Sequence, residues 1–166
     1  MKTKLYIIMF ALLSIGIASC GSSQTAAQKQ EIANEIREKV NNFDFTFKAT
    51  YAYPTSFRSI NLSPFYDVKV SPEKIIAYLP YYGRAYSAPM DSSEGGIKFE
   101  STTFEYKVNK GKKSGNWLIN IQVRDKGKEI TMLFDIWENG TARLSVSDPN
   151  RQPISFTGDI EINDKE

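Results

Sequence analysis

The sequence predicts an α+β fold dominated by strands. We expect a curved antiparallel meander of about eight or more strands, arranged as a sandwich or an open barrel, with one N-terminal helix packed on it. Three observations carry this prediction: apolar residues recur at every second position through most of the chain beyond Phe43, Gly- and Asn-containing turns separate these runs, and one stretch before Phe43 has helical periodicity. Alternation predicts half-buried strands, and short turns make consecutive strands antiparallel neighbours.

Residues 1–19 have the composition of a secretory signal. Two lysines precede an unbroken apolar run over residues 5–13, and small residues follow as far as Cys20. The run is shorter than the roughly 20 residues that span a bilayer. The "IASC" stretch looks like a lipobox, and the chain has no second cysteine, so we expect cleavage before Cys20 and lipidation of its sulfur. The alternative is a structural cysteine beside an ordinary cleavage site.

Lipidation would hold the protein on a membrane without spanning it. Residues 20–25 then form a short tether, and residues 26–166 form a single globular domain. Gly21 stands where an aspartate directs bacterial lipoproteins to the inner membrane, and no acidic cluster follows Cys20. By that analogy we expect an anchor in the outer membrane, with the protein facing the periplasm.

The mature chain carries no net charge. Removal of residues 1–19 takes away Lys2 and Lys4, so 21 basic residues become 19, equal to the 19 acidic residues. Nucleic-acid binding depends on neutralising phosphates with basic residues. We therefore expect no nucleic-acid partner.

The helix is predicted directly after the tether. Thr25 and Gln28 have the spacing of a capping box, and the pair Asn41–Asn42 ends the helical pattern. The side chains of Ile32, Ile36 and Val40, which are spaced four positions apart, form one narrow apolar stripe along the predicted helix. A narrow stripe favours packing of one face against a sheet.

Strands are predicted from residue 43 onward. The runs "FDFTFKATYAY" and "FYDVKV" alternate, "IIAYLP" is a short strand that ends at Pro80, and the alternation becomes regular beyond residue 97. The regular apolar sets are Phe104–Val108, Trp117–Val123, Ile130–Ile136, Ala142–Val146 and Ile154–Ile162. The dipeptide Asn139–Gly140 predicts a two-residue hairpin, and "DKGK" a short glycine turn.

Several catalytic chemistries are excluded by residue type. The chain has no histidine, and its single cysteine is assigned to lipid, so triads and thiolate sites are absent. Asp135 and Glu138 are close in sequence, but Asp135 occupies a polar-facing position of a predicted strand, whereas Glu138 lies at the start of a predicted turn. We therefore predict no catalytic residues. We interpret Asp91 and Glu94 as part of a surface loop rather than a calcium site, and predict neither metal nor cofactor.

The stretch "YLPYYGRAYSAP" at residues 78–89 is the candidate binding segment. A sheet corner, with rings covering a core edge, is one interpretation. A recognition patch is the other, since tyrosine and arginine are enriched at binding hot spots. Its residues would be Tyr81, Tyr82, Arg84 and Tyr86, with Arg84 free to stack on a tyrosine ring. We interpret the four lysines between residues 107 and 113 as a solvated hairpin tip.

The order of these features resembles a family of small uncharacterised lipoproteins from Bacteroidetes, known as a domain of unknown function. The resemblance covers roughly residues 40–160 and lies in "FDFTFKATYAYP", "LPYYGRAY", "GGIKFESTTFEY", "NWLINIQV", "TMLFDIWENGTARLSV" and "RQPISFTGDI". It implies an exported or lipid-anchored single domain and assigns no activity or catalytic residue.

Three functions follow as hypotheses. The first is a non-enzymatic, membrane-anchored lipoprotein that binds a protein, glycan or lipid of the cell envelope. The second is a carrier or chaperone that holds an apolar ligand inside a half-barrel, and the third is a hydrolase without histidine. A filled core with an exposed tyrosine and arginine patch favours the first, and an apolar cavity the second.

Overall fold

The computed structural model describes residues 25–86, 95–111, 113–125 and 128–162. Cys20 lies outside these ranges, as do Asp91 and Glu94. The described chain contains one helix, α1 (Ala26–Asn41), and ten strands. Within the same ranges, no helix has both the length and the apolar character needed to cross a membrane.

Helix α1 begins and ends where the local sequence predicts. The backbone N–H of Gln28 donates to Thr25 Oγ1 at 3.3 Å, and the backbone N–H of Thr25 donates to Gln28 Oε1 at 2.8 Å. This is the predicted capping box, which satisfies two N–H groups at the start of the helix. Asn42 caps the C-terminal end. The buried side chains of α1 share one face: Ala33, Ile36 and Val40.

The ten strands make up most of the described chain beyond the helix. They are β1 (Phe45–Pro54), β2 (Ile60–Asn61), β3 (Asp67–Val70), β4 (Ile75–Pro80), β5 (Gly96–Ser101), β6 (Phe104–Lys110), β7 (Asn116–Asp125), β8 (Lys128–Trp137), β9 (Thr141–Ser147) and β10 (Ile154–Ile160).

All ten strands belong to one antiparallel sheet. Its order is β5-β4-β3-β1-β10-β9-β8-β7-β6, and β2 pairs with β1 beside this path. The two edge strands, β5 and β6, are consecutive in the chain and are separated only by Thr102 and Thr103. The sheet therefore curves into a nearly closed barrel. This confirms the predicted mainly β fold and, of the two arrangements left open, the barrel.

Packed side chains occupy the interior between opposite walls. Phe45 and Phe47 of β1 make edge-to-face contacts with Phe134 of β8, at centroid separations of 5.4 and 5.8 Å. Strands β1 and β8 are separated by β10 and β9 in the sheet, so these contacts cross the interior. Phe156 of β10 is also fully buried. The rings fill the space that a ligand of a hollow barrel would take.

A bulge reverses the alternation within β1. The register with β10 shifts between Ala49 and Tyr51, so that Ala49 and Ala52 are both buried while Tyr51 faces outward. An extra residue in one strand has this effect on side-chain phase. A Cβ at Gly158, beside the shift, would lie only 1.9 Å from the carbonyl oxygen of Lys48, so glycine permits the close approach of the two strands.

Two local details differ from the sequence prediction. Phe43 precedes the first strand instead of starting it: its φ is +56°, and its ring packs on Tyr106 at a centroid distance of 4.0 Å. The β8–β9 turn contains three residues, 138–140, rather than two, and Gly140 adopts a φ of +87°. A third loop residue in the left-handed conformation is the usual form of the next longer hairpin.

Candidate functional site

Residues 81–86, which we call the strap, lead from β4 to the turn between β9 and β10. Strands β3 and β1 lie between β4 and β10 in the sheet, so the strap crosses the rim of the barrel. Ala85 pairs antiparallel with Arg151 of the β9–β10 turn. The strap thus follows the predicted end of the strand at Pro80, and its pairing partner comes from the far end of the chain.

Backbone hydrogen bonds hold the strap against this turn. The Tyr86 N–H donates to the carbonyl oxygen of Asn150 at 2.7 Å, and the Gln152 N–H donates to the carbonyl oxygen of Arg84 at 3.0 Å. The Arg84 N–H donates to Gln152 Oε1 at 3.2 Å. Because these bonds join main-chain groups along the strap, its exposed side chains project from a backbone of defined position.

Tyr81 anchors the first half of the strap. Its ring is half-buried against the core, and its hydroxyl lies 2.9 Å from the carbonyl oxygen of Arg84 and 3.1 Å from that of Gln152. The hydroxyl is protonated at neutral pH and can donate, and burial raises the pKa of Tyr81 further above its ordinary value of about 10. A Cβ at Gly83 would meet the Tyr81 hydroxyl oxygen at 2.6 Å. A side chain at position 83 would therefore displace the end of the Tyr81 ring.

Arg151 supplies the cation that contacts Tyr81. Its guanidinium carbon lies 5.2 Å from the ring centroid, and its Nη1 donates to the carbonyl oxygen of Gly96 at 2.8 Å. Its Nε is 3.7 Å from Asp148 Oδ2. From the sequence we expected Arg84 to stack on a tyrosine ring, whereas in the structure Arg151 contacts the Tyr81 ring. Residues 148–153 read only as a turn in the sequence, because no local pattern shows which distant segment a turn will contact.

The four predicted binding residues divide into two pairs. Tyr81 and Tyr82 are half-buried and pack against the core. Arg84 is exposed, and Tyr86 exposes 68% of its surface. The strap therefore combines the two interpretations: its first half covers a core edge, and its second half presents an arginine and a tyrosine to solvent.

Tyr78 belongs to a separate outward-facing cluster on β4. Its ring stacks on Tyr66 with a centroid distance of 5.6 Å and an interplanar angle of 18°. Lys98 of β5 places its Nζ 4.9 Å from the Tyr78 centroid. Neither Tyr66 nor Lys98 was identified from the sequence, because a contact across neighbouring strands depends on their register.

The acidic residues do not form a recognisable catalytic pair. Asp135 is half-buried on β8 and accepts a hydrogen bond from Asn116 Nδ2, whereas Glu138 is exposed in the β8–β9 turn. In the part of the chain that the structure describes, no three His, Cys, Asp or Glu residues are grouped to hold a metal ion.

A model of a known protein family matches most of the chain. A family model described as a domain of unknown function, DUF4251, matches residues 27–160. The chain belongs to the DUF4251 family. The resemblance found in the sequence is therefore confirmed.

The fold recurs in a solved member of that family. The chain is similar to a crystal structure of a DUF4251 family protein from Bacteroides eggerthii, with a TM-score of 0.59 and 11% sequence identity. The match covers 80% of this chain and 91% of that chain. At this identity the likeness concerns the fold alone. No curated protein matches the chain.

Proposed function

We propose that this DUF4251 protein is a non-enzymatic binding module of the bacterial cell envelope, anchored to a membrane by lipid on Cys20. The outer membrane is the proposed location, with the globular domain on the periplasmic side. Helix α1 starts six residues after Cys20. An extended tether of that length reaches roughly 20 Å, so the barrel stays close to the bilayer surface.

The observation that carries the binding role is the second half of the strap. Arg84 and Tyr86 are exposed while their backbone is held by hydrogen bonds to residues 150–152. Recognition residues on a fixed backbone lose little conformational freedom on binding, which favours affinity. Tyrosine and arginine are also the residue types that most often dominate interface energetics.

The interior supports a binding module over a carrier. Phe45 and Phe47 contact Phe134 across the barrel, and the rings of Phe47 and Phe134 are fully buried. An apolar ligand would have to displace these packed rings. A partner bound at the strap requires no such rearrangement.

The composition supports a non-enzymatic role. The chain has no histidine, and its cysteine is assigned to the lipid anchor. Asp135 accepts a hydrogen bond from Asn116 Nδ2. Glu138 takes no part in this hydrogen bond and is exposed in the following turn. A hydrolase would need an acid and a base in distinct environments around one cleft.

The test is crosslinking of the native lipoprotein in intact cells, followed by identification of the captured partner. We expect Tyr86→Ala and Arg84→Ala to lose the partner while remaining folded. A true hot spot weakens binding by about 2 kcal/mol or more, which is roughly thirtyfold. Tyr51→Ala is the matched control, since Tyr51 is an exposed tyrosine on the outer face of β1.

Equal capture by the wild type and by both strap variants would contradict the role of the strap. Loss of capture in the Tyr51→Ala control as well would indicate a nonspecific effect of tyrosine removal. The circular dichroism spectrum of each variant establishes that the sheet is intact before capture is compared.

A further inference from the structure

A concave surface lies where helix α1 meets the β6–β7 hairpin. This cleft, which we call the basic cleft, has a volume of about 370 Å³ and lies apart from the strap. Its charged lining residues are Arg37 of α1, Lys110 and Lys113 of the hairpin region, and Glu138 of the β8–β9 turn. Ser114, Asn116 and Trp117 also line it. Two of the lysines assigned to a solvated hairpin tip, Lys110 and Lys113, thus share a surface with Arg37, which lies 73 positions before Lys110 in the sequence.

The cations of the basic cleft, Arg37, Lys110 and Lys113, form no ion pair with any carboxylate in the part of the chain that the structure describes. Arg37 Nη1 donates to Asn34 Oδ1 at 3.3 Å, which orients its side chain without neutralising it. Other cations on the surface do pair, as Lys48 does with Asp67 at 2.9 Å. Like charges that line one cleft repel each other, and an anion between them would relieve that repulsion.

We propose that the basic cleft binds a phosphate group. Its three cations and one carboxylate give a net charge of +2. A phosphate monoester carries about −1.5 to −2 charges at pH 7 and offers several acceptor oxygens. Arg37 can donate two parallel hydrogen bonds to such a group, while Lys110 and Lys113 act as point charges. The phosphate comes either from a lipid headgroup, close to the proposed anchor, or from a soluble phosphorylated molecule.

The test uses the full-length protein purified in a neutral detergent. The chain has two tryptophans, and Trp117 lines the cleft. Trp137→Phe leaves Trp117 as the single tryptophan, so its fluorescence reports on the cleft while calorimetry measures the affinity for inorganic phosphate. We expect saturable binding that weakens with added salt, as exposed charge interactions do.

Substitutions then locate the site. Arg37→Gln and Lys110→Gln should each raise the Kd for phosphate by about tenfold, since each removes a charge-assisted hydrogen bond. Lys69→Gln, which removes an exposed lysine of β3 outside the cleft, is the matched control and should leave the Kd unchanged. Glu138→Gln removes the acid of the cleft and should lower the Kd several-fold. A gain in affinity cannot arise from partial unfolding.

A second arm distinguishes the sources of phosphate. Micelles doped with phosphatidic acid are compared with micelles doped with phosphatidylcholine and with inorganic phosphate. Tighter binding to phosphatidic acid than to inorganic phosphate indicates a lipid headgroup, and equal or weaker binding indicates a soluble ligand. Absence of saturable binding in both arms, or the same Kd for Arg37→Gln, Lys110→Gln and Lys69→Gln, would overturn the proposal. Tyr86→Ala should leave phosphate binding intact, which keeps this result independent of the strap.

Discussion

Alanine substitution of the three strap tyrosines should give graded stability losses. Complete burial of a large aromatic ring makes its removal cost about 3–5 kcal/mol. Tyr81 and Tyr82 are half-buried, so the packing loss for each should be about 2 kcal/mol. Tyr81 also loses its hydroxyl contacts to Arg84 and Gln152, which adds about 1 kcal/mol. Tyr86 is 68% exposed, and its removal should change stability by about 0.5 kcal/mol or less.

The measurement is denaturant unfolding of each variant, with the free energy of unfolding compared at constant m-value. Tyr81→Phe isolates the hydroxyl and should cost about 1 kcal/mol, because the ring stays in place while the Gln152 carbonyl oxygen loses its donor. The expected order of stability loss is Tyr81→Ala first, then Tyr82→Ala, then Tyr86→Ala. A loss for Tyr86→Ala as large as that for Tyr81→Ala would refute the division of the strap into a buried and an exposed half.

Four further outcomes are expected. Gly83→Ala should destabilise by about 1–3 kcal/mol through overpacking against Tyr81, and less so in a Tyr81→Ala background; additive losses in the double variant would argue against this contact. Cys20→Ala should abolish sedimentation with membranes in fractionated cells, and sedimentation equal to that of the wild type would contradict lipid anchoring. The thermal midpoint should be unchanged by chelator or reductant, so a drop of many degrees with chelator would point to a metal site. Burial raises the pKa of Tyr106, and hydrogen bonding to Asp67 raises that of Lys48, so the folded state holds these protons more tightly than the unfolded state. Their contribution to stability is complete below the unfolded pKa of about 10 and falls as pH rises above it; Tyr106→Phe should reduce that fall in pH-dependent unfolding, and an unchanged slope would contradict the assignment.

Local features of the fold follow from the sequence by itself. The helix start is specified by Thr25 and Gln28, which lie within one turn of each other and satisfy each other's backbone groups. The strands from β6 to β10 follow from period-two alternation, and their antiparallel order follows from the short turns between them. These signals involve neighbouring residues, so they can be read without knowledge of distant contacts. Residue types likewise set limits on chemistry, as the absence of histidine does.

The strand order of the sheet was decided by tertiary structure. Pairing of β1 with β10 joins the two ends of the domain, and no local pattern identifies β10 as the neighbour of β1. The pairing depends on packing of rings from distant strands, such as Phe47 against Phe134, and on the absence of a Cβ at Gly158. The bulge after Ala49 then sets which tyrosines of β1 face outward.

The candidate sites were decided in the same way. The sequence identifies the strap as unusual, but the burial of Tyr81 depends on Arg151 and Gln152, which lie about 70 positions further along the chain. The basic cleft likewise exists only because the fold brings Arg37 of α1 and Lys110 of β6 to the same surface. Periodicity predicts which face of a strand is buried, because that depends on spacing along one segment. Which side chains converge from separate segments depends on strand order and register across the whole sheet, and only the folded chain determines these.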